Sequence, residues 1–456
     1  MRAWYAWAGA LAYGGEDNRE RMKTIQVGLI GLGNVGVGMV HILQQQATLI
    51  AGRLGAQLVL KRIATLHPER PRAVQLPAAA MTTDALALVR DPEIAIVVEL
   101  IGGYEPARTY LLEALRQGKH VVTANKALLA KHGQEIFHTA STLERDIGFE
   151  ASVGGGIPII RSIKEGLVAN QFLSIASIIN GTSNYILSRM SDQGLDFAEV
   201  LKAAQELGYA EADPTFDIEG IDAAQKLALL ASLAFGSWVS YEDIHTEGIS
   251  RLTQLDIAYA RELGYRVKLL ALAKMDQGQL DVRVHPALVA TQSWLASVNC
   301  VYNAVALRGD AVGQQMLIGR GAGALPTGSA VVGDLVDVAR NILKGSEGRV
   351  PPPHSLHSLP LKDIHDIVCK YYLRFQVLDQ PGVLAAIAGI LGQNHISIES
   401  VIQKGRGHEL GATVSVVMMT HEAQERSVRA ALQAIQPLAF VQGETVCIRV
   451  ADPESE

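Results

Sequence analysis

The segment with the clearest means of moving a proton is Gly208 to Lys226, GYAEADPTFDIEGIDAAQK, in which several acids precede one lysine. Asp222 and Lys226 are four residues apart, so a helix places both side chains on one face. A surface ion pair of this spacing is common and contributes only about 0.3–0.5 kcal/mol. The same lysine can also donate a proton to an oxygen that gains negative charge. This segment alone leaves both interpretations open.

A glycine-rich turn near the start of the chain has the spacing of a dinucleotide-binding site. The β-branched run Ile25 to Ile30 leads directly into GLGNVG, and apolar residues at helical spacing follow. In this strand, turn and helix context the glycines let the backbone approach a pyrophosphate at the helix N-terminus. We therefore predict a Rossmann-type domain of an α/β protein, with cofactor contacts from Gly31, Leu32, Gly33, Asn34, Val35 and Gly36.

The end of the second predicted strand should choose between NAD and NADP. The strand covers about 57–65 and is followed by Leu66, where an acid would favour NAD and an arginine NADP. Leu66 is neither an acid nor an arginine. His67, Glu69 and Arg70 are the nearby candidates, and the choice of cofactor stays open.

Lys126 follows the predicted strand 120–123, where the reactive end of a cofactor should lie, because ligands bind at the carboxyl ends of parallel strands. A surface lysine in a first helical turn is the simpler alternative. A lysine there opposes the helix dipole, which favours a functional role.

A new layer begins at FEASVGGGIP, residues 149–158, where the alternation of strand and helix stops. Three consecutive glycines expose main-chain carbonyls next to Glu150. Together these oxygens suit a monovalent cation. A turn that needs positive φ angles explains the glycines equally well.

The C-terminal part forms a separate pattern. Residues 345–369 contain the proline-rich linker GSEGRVPPPHSLH, and 370–451 follow the order βαββαβ of a ferredoxin-like fold, with its second helix predicted at 421–435. DQPGVL at 379–384 and NHISI at 394–398 resemble the ACT domain, which binds amino acids and pairs through its edge. A module that serves only dimerisation is the alternative.

Composition limits the class of protein. At 456 residues the chain suggests about three domains, and 48% hydrophobic with 19% charged residues excludes disorder as the main state. The net charge of -6 does not indicate a basic surface that would bind nucleic acid. The three cysteines show no C-x-x-C spacing, so neither zinc nor a disulfide framework is indicated, and we expect a cytoplasmic protein without a membrane span. Residues 1–21 are expected to be a disordered or non-native extension.

Seven motifs occur in the order and spacing of one family. The chain resembles homoserine dehydrogenase over about 22 to 345, and the resemblance continues through the ACT-like tail. The motifs are GLGNVG, VVELIGG, VVTANKALLA, FEASVGGGIP, NGTSNYIL, GYAEADPTFDIEGIDAAQK and GRGAGALPTGSAVVGDL. The resemblance implies NAD- or NADP-linked interconversion of L-homoserine and L-aspartate 4-semialdehyde, a step in threonine, methionine and isoleucine biosynthesis.

The resemblance also implies roles for individual residues. Lys226 matches the proton donor and Lys126 a second catalytic lysine that is close to the cofactor. The implied substrate residues are Glu211, Asp222, Tyr209 and Thr182, and further cofactor contacts are Thr123, Gly208 and Gly321. A sodium or potassium ion would be held by Glu150 and the carbonyls of Val153, Gly155 and Ile157. L-threonine is the implied effector, with Asp379, Gly382 and Asn394 in the ACT domain.

The expected domains are a dinucleotide-binding domain at 22–148 completed by 319–344, an α+β catalytic and dimerisation domain at 149–318, the linker and the ACT domain. A homodimer or homotetramer is expected. One alternative is a non-catalytic amino-acid sensor on the same scaffold. A thiol-dependent semialdehyde dehydrogenase is disfavoured, because Cys300, Cys369 and Cys447 lie outside the predicted pocket.

Overall fold

The computed structural model describes residues 22–351, 358–404 and 413–452, so the expectation for residues 1–21 falls outside it. The described residues divide into two compact units. The first contains 22–166 and 322–351, and the second contains 167–321, 358–404 and 413–452. None of the described helices is long and apolar enough to cross a membrane.

A six-stranded parallel sheet in the order β3-β2-β1-β4-β5-β6 forms the centre of the first unit. Its strands are β1 (Thr24–Ile30), β2 (Gln57–Ala64), β3 (Met81–Thr82), β4 (Ile94–Glu99), β5 (His120–Thr123) and β6 (Ile147–Gly148). The central strands are runs of Val, Ile and Leu with both faces buried, as expected when helices cover a parallel sheet. This strand order confirms the Rossmann-type fold.

Helices cover this sheet. They are α1 (Asn34–Gln45), α2 (Ala47–Leu54), α3 (Ala85–Val89), α4 (Ala107–Arg116), α5 (Lys126–Thr142), α6 (Ile159–Arg161) and, late in the chain, α12 (Ala324–Lys344). Helices α1 and α12 approach closely at glycines: a Cβ built on Gly328 would lie 2.7 Å from the carbonyl carbon of Gly38. The late helix α12 therefore belongs to the core of the nucleotide-binding unit.

The second unit has a sheet in the order β12-β11-β7-β9-β10-β18-β14-β16-β15, with β8 also paired to β10. The strands that precede the ACT domain are β7 (Phe172–Ile178), β8 (His245–Thr246), β9 (Tyr265–Asp276), β10 (Gln279–Ala290), β11 (Tyr302–Gly309) and β12 (Gly313–Arg320). The helices that pack with them are α7 (Gly181–Gln193), α8 (Phe197–Glu206), α9 (Thr215–Ile218), α10 (Ile221–Phe235) and α11 (Gln254–Glu262).

The predicted βαββαβ order is present in the C-terminal region. It comprises β14 (Tyr371–Leu378), α13 (Val383–Gln393), β15 (Ile398–Gln403), β16 (Thr413–Thr420), α14 (Glu425–Ile435) and β18 (Val446–Ala451). The predicted helix 421–435 starts later, since Ala423–Gln424 form β17, which pairs with β13 (Val368–Cys369). The sheet order β18-β14-β16-β15 is ferredoxin-like.

The strands of the C-terminal βαββαβ region and the strands β7 to β12 form one continuous sheet. Strand β18 pairs in parallel with β10, so that Ala287 lies opposite Arg449, and it also pairs with β14. One edge of the ACT sheet is therefore occupied by a strand of the same chain. The end of the predicted linker is held on this sheet as well, because the N–H of Leu280 donates to the carbonyl of Pro360 at 2.9 Å.

Candidate active site

The glycine turn of the first unit has the geometry of a phosphate site. Gly31 has a φ of 101°, and a Cβ there would lie 2.7 Å from the main chain of Leu100. A Cβ on Gly36 would overlap the carbonyl oxygen of Gly31, so α1 packs tightly on β1. A Cβ on Gly33 would meet no described atom within 4 Å, and no described side chain caps α1. The N–H groups that start α1 are thus directed at open space, which suits a pyrophosphate.

A buried acid organises the ends of β4 and β5. One oxygen of Glu99 accepts N–H bonds from Ile101 at 2.8 Å and Gly102 at 3.1 Å, and the other accepts the hydroxyl of Thr123 at 2.7 Å. The Thr123 hydroxyl in turn accepts the N–H of Asn125 at 3.0 Å. Glu99 is therefore a satisfied structural acid. The hydroxyl of Thr123, a predicted cofactor contact, is thus already hydrogen-bonded within the protein.

Lys126 is the first residue of α5, as predicted, and its side chain is half-buried. Asn125 fixes this position: its side-chain oxygen accepts the N–H of Leu128 at 3.1 Å, and its amide donates to the carbonyl of Gly103 at 2.8 Å. The lysine thus starts from a well-anchored turn at the carboxyl end of β5.

Arg72 connects the glycine turn to the end of β2, and the sequence did not single it out. Its guanidinium donates to the carbonyl of Leu32 at 3.3 Å, to the carbonyl of His67 at 2.7 Å and to the hydroxyl of Thr65 at 3.1 Å. It also donates to the carbonyl of Arg70. Arg72 therefore places a positive charge between the glycine turn and the end of β2. Its distance along the chain from Leu32 hid this contact.

Glu150 is buried and lies just beyond β6. Its two carboxylate oxygens accept the N–H groups of Ile160 at 2.7 Å and Arg161 at 2.8 Å, which stabilises the start of α6. Burial raises the pKa of Glu150, although these N–H bonds oppose the shift. Its own N–H donates to Asp334 at 2.9 Å, and burial with the charge of Glu150 raises the pKa of Asp334 to about 7.

The glycines after Glu150 have the left-handed conformation that the sequence suggested, with φ of 71° at Gly154 and 56° at Gly155. The carbonyl of Ile157 accepts an N–H bond from Ile159 at 2.8 Å. In the described part of the chain, no cluster of three or more His, Cys, Asp or Glu side chains could hold a metal ion. Any cation here would rest on one carboxylate and main-chain oxygens.

Lys226 and Asp222 form a buried ion pair on α10, with a distance of 2.6 Å from Nζ to Oδ2. Asp222 is 4% exposed and Lys226 9%. Nζ also donates to the carbonyl of Ile179 at 2.8 Å. Helix α10 begins after Gly220, whose φ of 80° and crowded Cβ position require glycine. The pair is thus held in the interior of the second unit, unlike an ordinary surface ion pair.

Two residues that the sequence did not assign complete this group. The amide of Asn180 donates to Asp217 at 2.7 Å and to Asp222 at 2.9 Å. Burial raises the pKa of Asp217, the bond from Asn180 lowers it, and the charge of Asp222 raises it again. Asn180 is the first residue of the motif NGTSNYIL and Asp217 lies in the acidic segment, but their positions in the sequence give no sign that they meet.

The other predicted substrate residues lie on the neighbouring loop. The hydroxyl of Thr182 donates to the carbonyl of Tyr209 at 2.8 Å, so α7 and this loop are joined. The Tyr209 ring lies 5.1 Å from that of Tyr185. Gly208 turns the chain with a φ of 73°. Glu211 is exposed, and its carboxylate makes no ion pair within the described residues, which leaves it accessible to a ligand.

Gly321 lies against a buried amide. A Cβ on Gly321 would overlap the side chain of Asn303, which is 1% exposed and has no hydrogen-bond partner among the described residues. This contact explains the glycine without a cofactor. A cofactor contact of Gly321 therefore stays a prediction.

The three predicted effector residues are not brought together. Asp379 and Gly382 lie in the turn before α13, whereas Asn394 follows its last residue and donates through its amide to the carbonyl of Ile390 at 2.9 Å. A helix of this length separates them by roughly 16 Å. The role of these three residues in binding an effector stays a prediction.

Comparisons with known proteins cover nearly the whole chain. The model "Homoserine dehydrogenase, NAD binding domain" matches residues 31–150, "Homoserine dehydrogenase" matches 158–336 and "ACT domain" matches 371–440. The homoserine dehydrogenase of Pseudomonas aeruginosa is 47% identical over 94% of this chain and 99% of its own length. The homoserine dehydrogenase of Neisseria gonorrhoeae is 45% identical over 94% of this chain and 99% of its own length.

Solved structures agree. The crystal structure of a homoserine dehydrogenase from Thiobacillus denitrificans has 47% identity and a TM-score of 0.89, with 95% of this chain and 99% of that one covered. The S. aureus homoserine dehydrogenase has 32% identity and a TM-score of 0.74, with 95% and 100% covered. With its Rossmann-type unit, its buried Asp222–Lys226 pair and its ACT domain, the chain belongs to the homoserine dehydrogenase family.

Proposed function

We propose that the chain catalyses the NAD(P)-dependent interconversion of L-homoserine and L-aspartate 4-semialdehyde, with Lys226 as the proton donor in the direction of reduction. The observation that carries this proposal is the buried ion pair of Lys226 and Asp222. An isolated surface pair would have no need of burial or of a carbonyl partner. Here burial and two hydrogen bonds, to Asp222 and to the carbonyl of Ile179, hold the ammonium in one orientation.

When bound, the nicotinamide supplies or accepts the hydride. Reduction of an aldehyde then needs a proton at the oxygen that becomes the hydroxyl. The ammonium of Lys226 donates two hydrogen bonds within the described chain, to Asp222 and Ile179, and its third hydrogen is available to that oxygen. Asp222 holds the ammonium in place between turnovers through its hydrogen bond at 2.6 Å. In the reverse direction the neutral amine takes the proton from the alcohol.

The substrate is a small zwitterion, and the acidic loop suits its ammonium. The exposed carboxylate of Glu211 is the proposed partner of this group, together with Asp222. Thr182 and Tyr209 are proposed to line the substrate site. The hydrogen bond from the Thr182 hydroxyl to the main-chain carbonyl of Tyr209 fixes their relative position. Lys126, at the start of α5, is proposed as the second catalytic lysine, which orients the substrate oxygen near the cofactor.

The cofactor is proposed to be NADP in preference to NAD. The open backbone at Gly33 and the uncapped start of α1 fit a pyrophosphate. Arg72 supports the preference for NADP, because a guanidinium at the end of β2 attracts the 2′-phosphate. Gly208, Gly321 and the main chain at Thr123 are the proposed further contacts.

A sodium or potassium ion is proposed at Glu150 and the carbonyls of Val153, Gly155 and Ile157. The chemistry of the donors fits, because these are hard oxygen ligands and one of them is a buried carboxylate. Each oxygen of Glu150 already accepts one N–H and keeps a further lone pair for a cation. Bound there, the ion would stabilise the loop between β6 and α6.

The ACT domain is proposed to bind L-threonine at the turn of Asp379 and Gly382, as a feedback inhibitor of a cytoplasmic enzyme of threonine, methionine and isoleucine biosynthesis. A homodimer or homotetramer is the proposed assembly. The support is the ferredoxin-like module at the end of a biosynthetic dehydrogenase chain.

One assay tests these points together. Homoserine-dependent formation of NADH and NADPH is measured with each cofactor separately, with and without millimolar L-threonine. We expect homoserine-dependent activity with both cofactors, with faster formation of NADPH than of NADH. We also expect threonine to inhibit this activity. No homoserine-dependent reduction of either cofactor, with retained amino-acid binding, would favour a non-catalytic sensor instead.

A further inference from the structure

Asn180 contacts both carboxylates that surround the catalytic lysine. Its two amide hydrogens are used by Asp217 at 2.7 Å and Asp222 at 2.9 Å, and its carbonyl accepts the N–H of Ser183 at 2.8 Å. The residue is 5% exposed. Rotation of the amide by half a turn would place its oxygen against two carboxylates. These three bonds therefore fix its orientation.

The Asp222 oxygen that Asn180 holds is the same oxygen that receives the bond from Lys226. Oδ2 accepts from Nζ of Lys226 at 2.6 Å and from the Asn180 amide at 2.9 Å. The preceding residue, Ile179, provides the carbonyl for the second bond of Nζ. The peptide 179–180 at the end of β7 thus holds the lysine through its carbonyl and the carboxylate through its side chain.

The chemistry of an amide suits this place. Asp217 and Asp222 repel each other when both are charged, and a neutral group with two N–H donors can bridge them without adding charge. A serine has one hydrogen and a short side chain, so it cannot bridge both. An aspartate would add a third negative charge. Without the bridge, Asp217, whose carboxylate also interacts electrostatically with Lys226, would compete with Asp222 for the ammonium.

We propose that Asn180 is a positioning residue for proton transfer: its amide holds the carboxylate of Asp222 on the ammonium of Lys226 and keeps Asp217 away from it. This inference rests on the proposed function, in which Lys226 donates the proton. Asn180 acts through Asp222 and does not itself touch the reacting oxygen. Because Asn180 is also the N-cap of α7, the test must separate positioning from capping.

Asn180→Asp makes that separation. Aspartate has nearly the same shape and still accepts the N–H of Ser183, but it replaces the two donors by a carboxylate oxygen. We expect kcat for aldehyde reduction to fall about 10- to 100-fold at neutral pH. In the pH profile of kcat, the alkaline limb should shift to higher pH by about one unit, because the added negative charge favours the protonated form of the lysine. Cofactor affinity, measured by nucleotide fluorescence, should not change.

The matched control is Asp84→Asn, the opposite exchange at the exposed N-cap of α3, where Asp84 accepts the N–H of Ala87 at 2.9 Å. It should keep the kcat and the pH profile of the wild type. Asn180→Ser is the second test variant, since its hydroxyl keeps a cap but cannot reach both carboxylates. It should lose turnover by a similar factor, without the upward shift of the limb and with an unchanged Tm.

The proposal is overturned if Asn180→Asp folds and keeps the wild-type limb. It is also overturned if Asn180→Ser keeps wild-type turnover, or loses turnover only in proportion to a lowered Tm. If Asn180→Asp does not fold, the serine variant decides in the same way. A wild-type chain without homoserine-dependent activity refutes the proposed function itself, whereas an active wild type with unaffected variants refutes only the role of Asn180.

Discussion

Lys226 and Asp222 lie one turn apart on α10, and their side chains meet at 2.6 Å in the interior of the second unit. Replacing the lysine removes the proposed proton donor. Lys226→Ala should lower kcat about 10²- to 10⁴-fold in both directions and leave cofactor affinity unchanged. Steady-state kinetics and nucleotide binding check this. Lys202→Ala, at an exposed position of α8, is the control with wild-type activity. Near-normal turnover of Lys226→Ala would contradict the assignment.

Arg72 should decide between the two cofactors. Arg72→Gln removes the guanidinium at the end of β2, so the Kd for NADP should rise about 10- to 100-fold, since a charged hydrogen bond contributes about 1.5–3 kcal/mol. The Kd for NAD should change by less than about twofold, because NAD has no 2′-phosphate there. Arg53→Gln, at an exposed position of α2, is the control with unchanged affinity for both nucleotides. An equal loss of affinity for NAD and NADP would show that Arg72 only stabilises the loop after β2.

Two glycines in helices of the first unit should respond oppositely to alanine. A Cβ on Gly38 of α1 would overlap the carbonyl oxygen of Ala324, so Gly38→Ala should destabilise the protein by about 1–3 kcal/mol through overpacking. A Cβ on Gly52 of α2 would meet no described atom within 4 Å, so Gly52→Ala should stabilise by about 0.5–1 kcal/mol. Denaturant unfolding measures both. Equal effects of the two substitutions would refute the close contact of α1 and α12.

Part-buried ion pairs join the ACT domain to the neighbouring strands of the second unit and should make stability depend on pH. Glu247, just after β8, binds Arg449 of β18 at 2.9 Å and Arg429 of α14 at 2.8 Å. Burial alone would raise the pKa of Glu247, but the hydrogen bonds of His245 and Arg449 and the charge of Arg449 hold it well below its usual value. Glu425 shares Arg449 at 2.7 Å, and its pKa is lowered too.

A lowered pKa in the folded state stabilises the protein above the unfolded value of about 4.3, and this stability is lost as pH falls below it. Unfolding free energy should therefore decline as pH falls from about 5, and the decline should continue below pH 3, because the folded-state pKa of Glu247 lies well below its usual value. Glu247→Gln should lower the free energy of unfolding by about 1–3 kcal/mol at pH 7, because Arg449 loses one charged partner and keeps Glu425, and it should flatten the acid decline. Glu93→Gln, at an exposed acid of the first unit, is the control. An unchanged pH profile in Glu247→Gln would contradict this account.

Patterns within one element were predictable. The spacing of the glycines, the strand before them and the helix after them predicted the phosphate turn, and the spacing of Asp222 and Lys226 predicted one helical face. The order of strands and helices in the tail predicted the ferredoxin-like unit, with errors of a few residues at element ends such as β17. These features depend on local geometry, which the sequence carries directly.

The sequence by itself determined the family, the elements and the two residues of the proton-donating pair. Only the tertiary structure decided which residues hold that pair: Asn180 meets Asp222 across 42 residues, and Arg72 meets Leu32 across 40. It also showed that β18 joins the ACT sheet to β10, and that Asn394 lies at the other end of α13 from Gly382. The physical reason is that periodicity fixes the face of a side chain within its own element, while the partner on that face is set by how separate elements pack.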